Sequence, residues 1–416
     1  MNQNNFKDIL LQRFLKYVKI NTQSDPSSDT SPSTDVQFDL ASVLEEECSD
    51  LSLSEVFLSD KCYLTAKLPA NCKKSIPPIG FLAHLDTSPD ISGENVKPRI
   101  IEKYNGKDIL LNVKSKSVLS PLMASELLSY TGQTLITTDG TTLLGADDKA
   151  GIAEILTAIE YLIQHPEIKH GDIYLAFTPD EEIGRGVQYL DTKRFCPKYA
   201  YTIDGTGCDL FEYECFNAAN ATISIQGLNV HPGHAKNKMK NALLIMLELI
   251  GMFPAAERPE HTEDYEGFYH FNEIYGNPEK TSVDMIIRDH HHKKFIARKN
   301  FVKTAVAFIN QKYGSSTAKL KMKDMYYNMR DQIEKDIKVV NLAINAYEAC
   351  GIEARVIPIR GGTDGAVLSY RGIPCPNIFT GGHNAHGRFE YVSLDSMEKS
   401  VRVILKIIEL FTMEKD

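Results

Sequence analysis

GTTLLGADDKAGIAEILTAIEYLIQH, residues 140–165, decides how the rest of the chain is read. After two acidic residues, Ile152, Ile155, Leu156, Ile159, Leu162 and Ile163 recur at helical spacing and predict an amphipathic helix with one apolar stripe. Short apolar runs lie on either side of it: PPIGFLAH (77–84), DIYLAFTP (172–179), YAYTID (199–204) and CPNIFT (375–380). Continuously apolar strands alternating with helices predict an α/β fold whose mainly parallel sheet is covered on both faces.

The middle third changes character. ATISIQG (221–227), a helix over 237–252, FYHFNEIYG (268–276), SVDMIIRD (282–289), a helix over 291–313 and AKLKMKDMYYN (318–328) follow in turn. This order predicts an inserted ferredoxin-like α+β domain. The expected organisation is a discontinuous catalytic domain, 1–217 and 330–416, interrupted by a lid or dimerisation domain, 218–329.

Length and composition narrow the function. A chain of 416 residues with 43% hydrophobic and 24% charged residues is globular and long enough for two domains. A net charge of -9 without a basic stripe argues against nucleic acid and acidic membranes as partners. Eight scattered cysteines with no CxxC read as reduced thiols. The first twenty residues carry Phe6, Ile9, Leu10, Phe14, Leu15 and Val18 at helical spacing, unlike a secretory leader. Together these predict a cytoplasmic protein.

The chemistry-bearing residues sit just past the predicted strand ends, where loops of open α/β sheets converge on one crevice. His84 and Asp86 follow one strand, Glu181 and Glu182 another, Asp204 ends a third, and His383 and His386 follow the fourth. Asp147 and Asp148 open the helix. Singly, each has an ordinary reading as a turn, cap or wet surface. Gathered into one cleft, so many like charges require cations between them. Two imidazoles with several carboxylates suit zinc, with cobalt or manganese as alternatives. No Walker-type GK[ST] accompanies IRGGTDGA (359–366), which reads as a tight turn rather than a phosphate cradle.

Stretches such as AHLDTSPDISGENV (83–96), HGDIYLAFTPDEEIGRG (170–186), FNAAN (216–220), NVHPGHAK (229–236) and YYNMR (326–330) give the chain its identity. With these it resembles the M20 metallopeptidase family, most closely its tripeptide-aminopeptidase branch. The resemblance covers nearly the whole chain. It implies two Zn2+ per subunit, His84, Asp147 and Asp204 binding one and Asp147, Glu182 and His386 the other. It further implies Glu181 as a metal-free general base acting on a water shared by the ions, with Asp86 holding the ring of His84. The peptide between Asp147 and Asp148 is expected to be cis.

GGHNAHG (381–387) departs from the family's usual GGYNYHG, so His383 and His386 compete as ligand; only His386 keeps the family spacing to Glu390 and Tyr391. The resemblance makes His231 an oxyanion donor, although a His-Pro-Gly stretch is otherwise just a turn. Arg288 reads as a clamp for a peptide carboxylate or as a surface ion pair. His290, His291 and His292 read as a solvated helix start. The expected activity is release of the N-terminal residue from tripeptides, with short peptides as partners and a homodimer expected from the family. The rivals are a dipeptidase or N-acyl amino acid amidohydrolase of the same family, an inactive metal- or peptide-binding protein, and a metal-free fold in which Lys149 and Arg185 pair with the acids.

Overall fold

The computed structural model describes residues 3–413, with side chains described from Lys7 onward, so the expected apolar contribution of Phe6 lies outside the described residues. The chain forms two compact units. One comprises residues 1–213, 331–357 and 363–416; the other comprises 214–330 and 358–362.

The first unit is built on an eight-stranded sheet. Its spatial order is Ser54–Leu58, Leu64–Leu68, Ile173–Thr178, Ile79–His84, Tyr199–Gly205, Asn377–Phe379, Leu210–Glu212 and Arg355–Val356. The four strands from Ile173–Thr178 through Asn377–Phe379 run parallel. Antiparallel pairings flank them on both sides. Every residue of Ile79–His84 and of Ile173–Thr178 is buried, which is why both read as unbroken apolar runs. Helix Ala146–Gln164 packs on two of these strands and against the C-terminal helix Leu394–Met413. The latter buries Leu394, Met397, Val401, Ile404, Ile408 and Phe411 along one stripe.

Two smaller sheets escaped the sequence reading. One is antiparallel and joins Gly382–His383, Tyr391–Ser393, Leu135–Thr137 and Arg99–Ile101; the other is the hairpin Ile109–Asn112 with Ser117–Leu119. Strands this short contain too little alternation to register as a period.

The second unit has the order strand Asn217–Gln226, helix Ala242–Gly251, strands Phe268–Gly276 and Lys280–Asp289, helix His292–Tyr313, strand Ala318–Tyr326. All its pairings are antiparallel, with Asn217–Gln226 between Lys280–Asp289 and Ala318–Tyr326. That is the ferredoxin-like arrangement. One expectation fails here. His291 and His292 are exposed at the helix start, but His290 is buried. Its ring lies 4.1 Å from that of Phe216, and its Nε2 donates to the Ile359 carbonyl at 3.1 Å. Adjacent Asp289 explains the turn inward: fully buried, it accepts from the His291 amide and from Arg298.

Candidate metal centre

The sheet of the first unit fixes four of the acidic and imidazole groups at or just past its strand ends. His84 is the last residue of Ile79–His84, and Asp204 lies at the end of Tyr199–Gly205. Glu181 and Glu182 start a single 3-10 turn after Ile173–Thr178, reached through Asp180 at φ +60. Asp147 sits at the start of helix Ala146–Gln164 with non-helical angles, φ -83 and ψ 100, and the Asp147–Asp148 peptide is cis. Gly145, at φ +80, turns the chain into this position. Gly151 is a second requirement, because a Cβ there would lie 1.9 Å from the Ile203 carbonyl and 2.6 Å from Asp148 Oδ1.

These elements assemble two triads. His84, Asp147 and Asp204 form one; Asp147, Glu182 and His386 form the other; within each, the donor atoms lie within 4.8 Å of one another. His84 Nε2 is 2.9 Å from Asp147 Oδ1 and 3.7 Å from Asp204 Oδ1. His386 Nε2 is 3.3 Å from Asp147 Oδ2 and 2.8 Å from Glu182 Oε2. Asp147 thus offers one oxygen to each side.

The ring of His84 is oriented for this. Its Nδ1 lies 2.9 Å from the Asp86 backbone carbonyl, which can only accept, so Nδ1 carries a proton and Nε2 is the nitrogen that faces the carboxylates. The Asp86 carboxylate, 3.5 Å from Nδ1, accepts from the amides of Glu181 at 2.9 Å and Glu182 at 3.2 Å. One residue therefore sets the His84 tautomer through its carbonyl and clamps the Glu181–Glu182 turn through its side chain.

The electrostatics ask for cations. Burial first, then Asp147, raises the Glu182 carboxyl to about 7. Burial also lifts Asp204, to about 6, despite its contact with His84. Burial works to raise Asp147 as well, but hydrogen bonds from His386 and His84 outweigh it and hold the carboxyl below its ordinary value. The hydrogen bonds of Asp147 and Glu182 push the His386 ring up to about 11. Glu181 belongs to neither triad, and burial, then Asp204, raises its carboxyl well above the usual range. Among the described residues no lysine or arginine pairs with either triad: Lys149 donates to the Ile20 carbonyl and Arg185 to the Ser28 carbonyl. Glu182 Oε1 is buried without a hydrogen-bond partner. Mixed imidazole and carboxylate donors, one of them with a spare buried oxygen, fit a pair of transition-metal ions.

His383 joins neither triad. Its Nε2 lies 2.5 Å from the Tyr130 hydroxyl, and its ring stacks on Tyr391 with centroids 5.1 Å apart. In the second unit, His231 is exposed at the head of the turn Pro232–His234, where its Nδ1 accepts from the Gly233 amide. Arg288 lies in strand Lys280–Asp289 with its guanidinium 5.3 Å from the Tyr326 ring centre; among the described residues it forms no ion pair.

Sequence reasoning assigned no role to several supporting groups. Asp180 accepts from the Ser33 amide at 2.8 Å, the Ser33 hydroxyl at 2.6 Å and Gln37 Nε2 at 2.7 Å, which ties the polar loop over 21–36 to the Glu181–Glu182 turn. Asp148 accepts from the His84 amide at 3.1 Å. Glu390 entered only as a spacing mark, yet its carboxylate accepts three amides beside Asp147.

Comparison with known proteins gives a consistent picture. The model of peptidase family M20/M25/M40 matches residues 138–410. A protein named Peptidase T from Caldanaerobacter subterraneus subsp. tengcongensis is 56% identical over 97% of this chain and 98% of its own. Among solved structures, aminopeptidase PepT from Bacillus cereus ATCC 10987 superposes with a TM-score of 0.77 at 24% identity, covering 98% of this chain and 99% of that one. A tripeptidase from Staphylococcus aureus subsp. aureus Mu50 gives 0.78 at 21% identity with the same coverage.

Proposed function

The chain belongs to peptidase family M20/M25/M40, and from that premise we propose that it is a di-zinc aminopeptidase releasing the N-terminal residue of tripeptides. The observation that carries this reading is the pair of triads hinged on Asp147. The names borne by the relatives supply the substrate class.

In this reading His84, Asp147 and Asp204 hold one ion, and Asp147, Glu182 and His386 the other. Bound divalent ions supply Lewis acidity and bring the pKa of water down to roughly 7. Glu181 takes a proton from the attacking water and delivers it to the leaving amine nitrogen. Its burial supports the second half of that task, because a carboxyl that favours its protonated form can hold a proton until the amine departs. Asp86 keeps His84 in one tautomer and Glu181 in place. We assign His231 to stabilising the oxyanion and Arg288 to the peptide's terminal carboxylate, a role supported by its forming no ion pair among the described residues. The inserted domain, 218–329, serves as lid and dimerisation domain, and 1–217 with 330–416 as catalytic domain.

The eight cysteines are all free, in keeping with a cytoplasmic location. No helix among the described residues is long and apolar enough to cross a membrane. A homodimer is checked by light scattering on the purified protein.

The deciding experiment measures hydrolysis of di-, tri- and tetrapeptides before chelation, after it, and after zinc or cobalt restoration. Tripeptides are expected to be cleaved fastest, N-blocked peptides to resist, and activity to return with metal. Equal rates on acylated amino acids would move the enzyme to the amidohydrolase branch. Undiminished tripeptide hydrolysis after complete demetallation would sink the metal reading.

A further inference from the structure

The segment that supplies His386 also carries Glu390, which closes the loop before strand Tyr391–Ser393. The Glu390 side chain is almost wholly buried. The buried Lys149 acts on it through space, but no direct ion pair to it is formed among the described residues. Its partners are three backbone amides from one stretch of chain. Oε2 accepts from Leu144 at 2.6 Å and Gly145 at 2.8 Å, and Oε1 from Asp147 at 3.1 Å. Bonds from amides to a carboxylate are shorter and roughly twice as strong as neutral ones. Burying a carboxylate carries a large desolvation cost that only such partners offset. The stretch it grips is irregular: Gly145 at φ +80, then Asp147 with angles outside the helical region. The Asp147 carboxylate is met by His84 and His386, while its backbone is anchored from outside the stretch by Glu390.

From this geometry we propose that Glu390 is a positioning residue that fixes Asp147 between the two triads, so that both metal sites depend on it although it belongs to neither triad. The inference rests on the di-metal reading above and extends it. It differs from a simple supporting role for the His386 loop, because Asp147 is common to both triads and a shift in it loosens both ions. Loss of His386 removes a donor from one triad only.

The test compares wild type, Glu390→Gln and His386→Ala, each demetallated and titrated with cobalt(II). Binding is followed by equilibrium dialysis and by visible absorption. Glu390→Gln keeps the side-chain volume but presents an amide NH2 to backbone N–H groups and lacks the charge. It is expected to bind both ions about 10–100-fold more weakly, the usual range when a ligand's supporting partner is lost. At saturating cobalt its absorption bands should be shifted, since Asp147 meets the ions at an altered angle; a merely less stable protein would show the wild-type spectrum once filled. His386→Ala should weaken one ion and leave the other near wild type. If Glu390→Gln fails to fold, Glu390→Asp, which keeps the charge but shortens the reach, takes the same two measurements. A folded Glu390 variant that binds two ions with wild-type affinity and spectrum overturns the proposal, as does one that weakens a single ion. Wild-type protein that binds no cobalt overturns the di-metal reading itself, and the proposal with it.

Discussion

The two triads have the same chemical make-up, one imidazole, one carboxylate of their own and a share of Asp147, but very different support. His84 ends a central strand, is 2% exposed, and has its ring locked by the Asp86 carbonyl. His386 stands on a loop between short strands, at φ +63, with its side chain 42% exposed. Among the described residues its Nδ1 has an ion-pair contact only with the exposed Asp90 carboxylate, at 3.6 Å. One side inherits its order from the sheet; the other must be held by its loop. Equal ligand sets therefore do not imply equal sites, and the strand-built side should hold its ion more tightly.

The largest effect is expected from a residue outside both triads. Glu181→Gln should leave metal content unchanged while kcat falls about 10²–10⁴-fold, the usual worth of a general base. An unchanged kcat would remove Glu181 from that role. Next, dialysis of His84→Ala and His386→Ala against limiting zinc tests the asymmetry directly. The His386 variant should retain its tighter ion, whereas the His84 variant should be left with only the weaker one; the reverse order would break the comparison.

A smaller contrast separates the orienting acids. Asp86→Asn keeps the backbone carbonyl on His84 but removes the carboxylate charge beside its Nδ1 and weakens the clamp on the Glu181–Glu182 turn, and should weaken zinc binding about 10–100-fold. Asp90→Asn, acting through an exposed contact, should change it by no more than a few-fold. Similar losses in the two variants would show that the loop side is as firmly built as the strand side.

The smallest effect lies lower on the helix that carries Asp147. Glu154 is fully buried; Oε2 accepts from the Ser400 hydroxyl at 2.5 Å, and Oε1 has no partner. Burial holds its carboxyl well above the ordinary glutamate value of 4.5, so the folded state favours the protonated form. Its contribution to stability is complete below that value and is lost as pH rises toward the raised one. Glu154→Gln should therefore raise the melting temperature at neutral pH, a gain on the order of 1 kcal/mol from removing a poorly satisfied buried acid. The gap should close on acidification, as read by thermal melts across mildly acidic to neutral pH. A gap that widens toward acid would show that Glu154 is ionised in the fold.

What could be read from the sequence follows from the same contrast. Ile79–His84 and Ile173–Thr178 announce themselves because both faces are buried, and the polar residues after them mark the crevice. The ferredoxin-like unit was legible from its helices and from the alternating burial of Lys280–Asp289. Hidden from the sequence were contacts made by backbone or by distant partners. Glu390 grips amides some 240 positions away, Asp180 reaches back to Ser33, and His383 leaves the ligand contest for Tyr130 and Tyr391. None of these leaves a local period or spacing. His290 was misread because a run of three histidines looks wet, while burial is decided by its neighbours Phe216 and Tyr265.

The order of residues along the chain gives the centre a history. The donors of the first triad, His84, Asp147 and Asp204, all precede the inserted unit, whereas His386 comes after it. At ribosomal speeds, the stretch from residue 204 to 386 takes roughly 10–35 s to synthesise. For that interval a nascent chain can offer one set of donors but not the other. Because Glu390, which holds the shared Asp147, comes later still, the early donors would wait for the C-terminal segment before either ion could be firmly held.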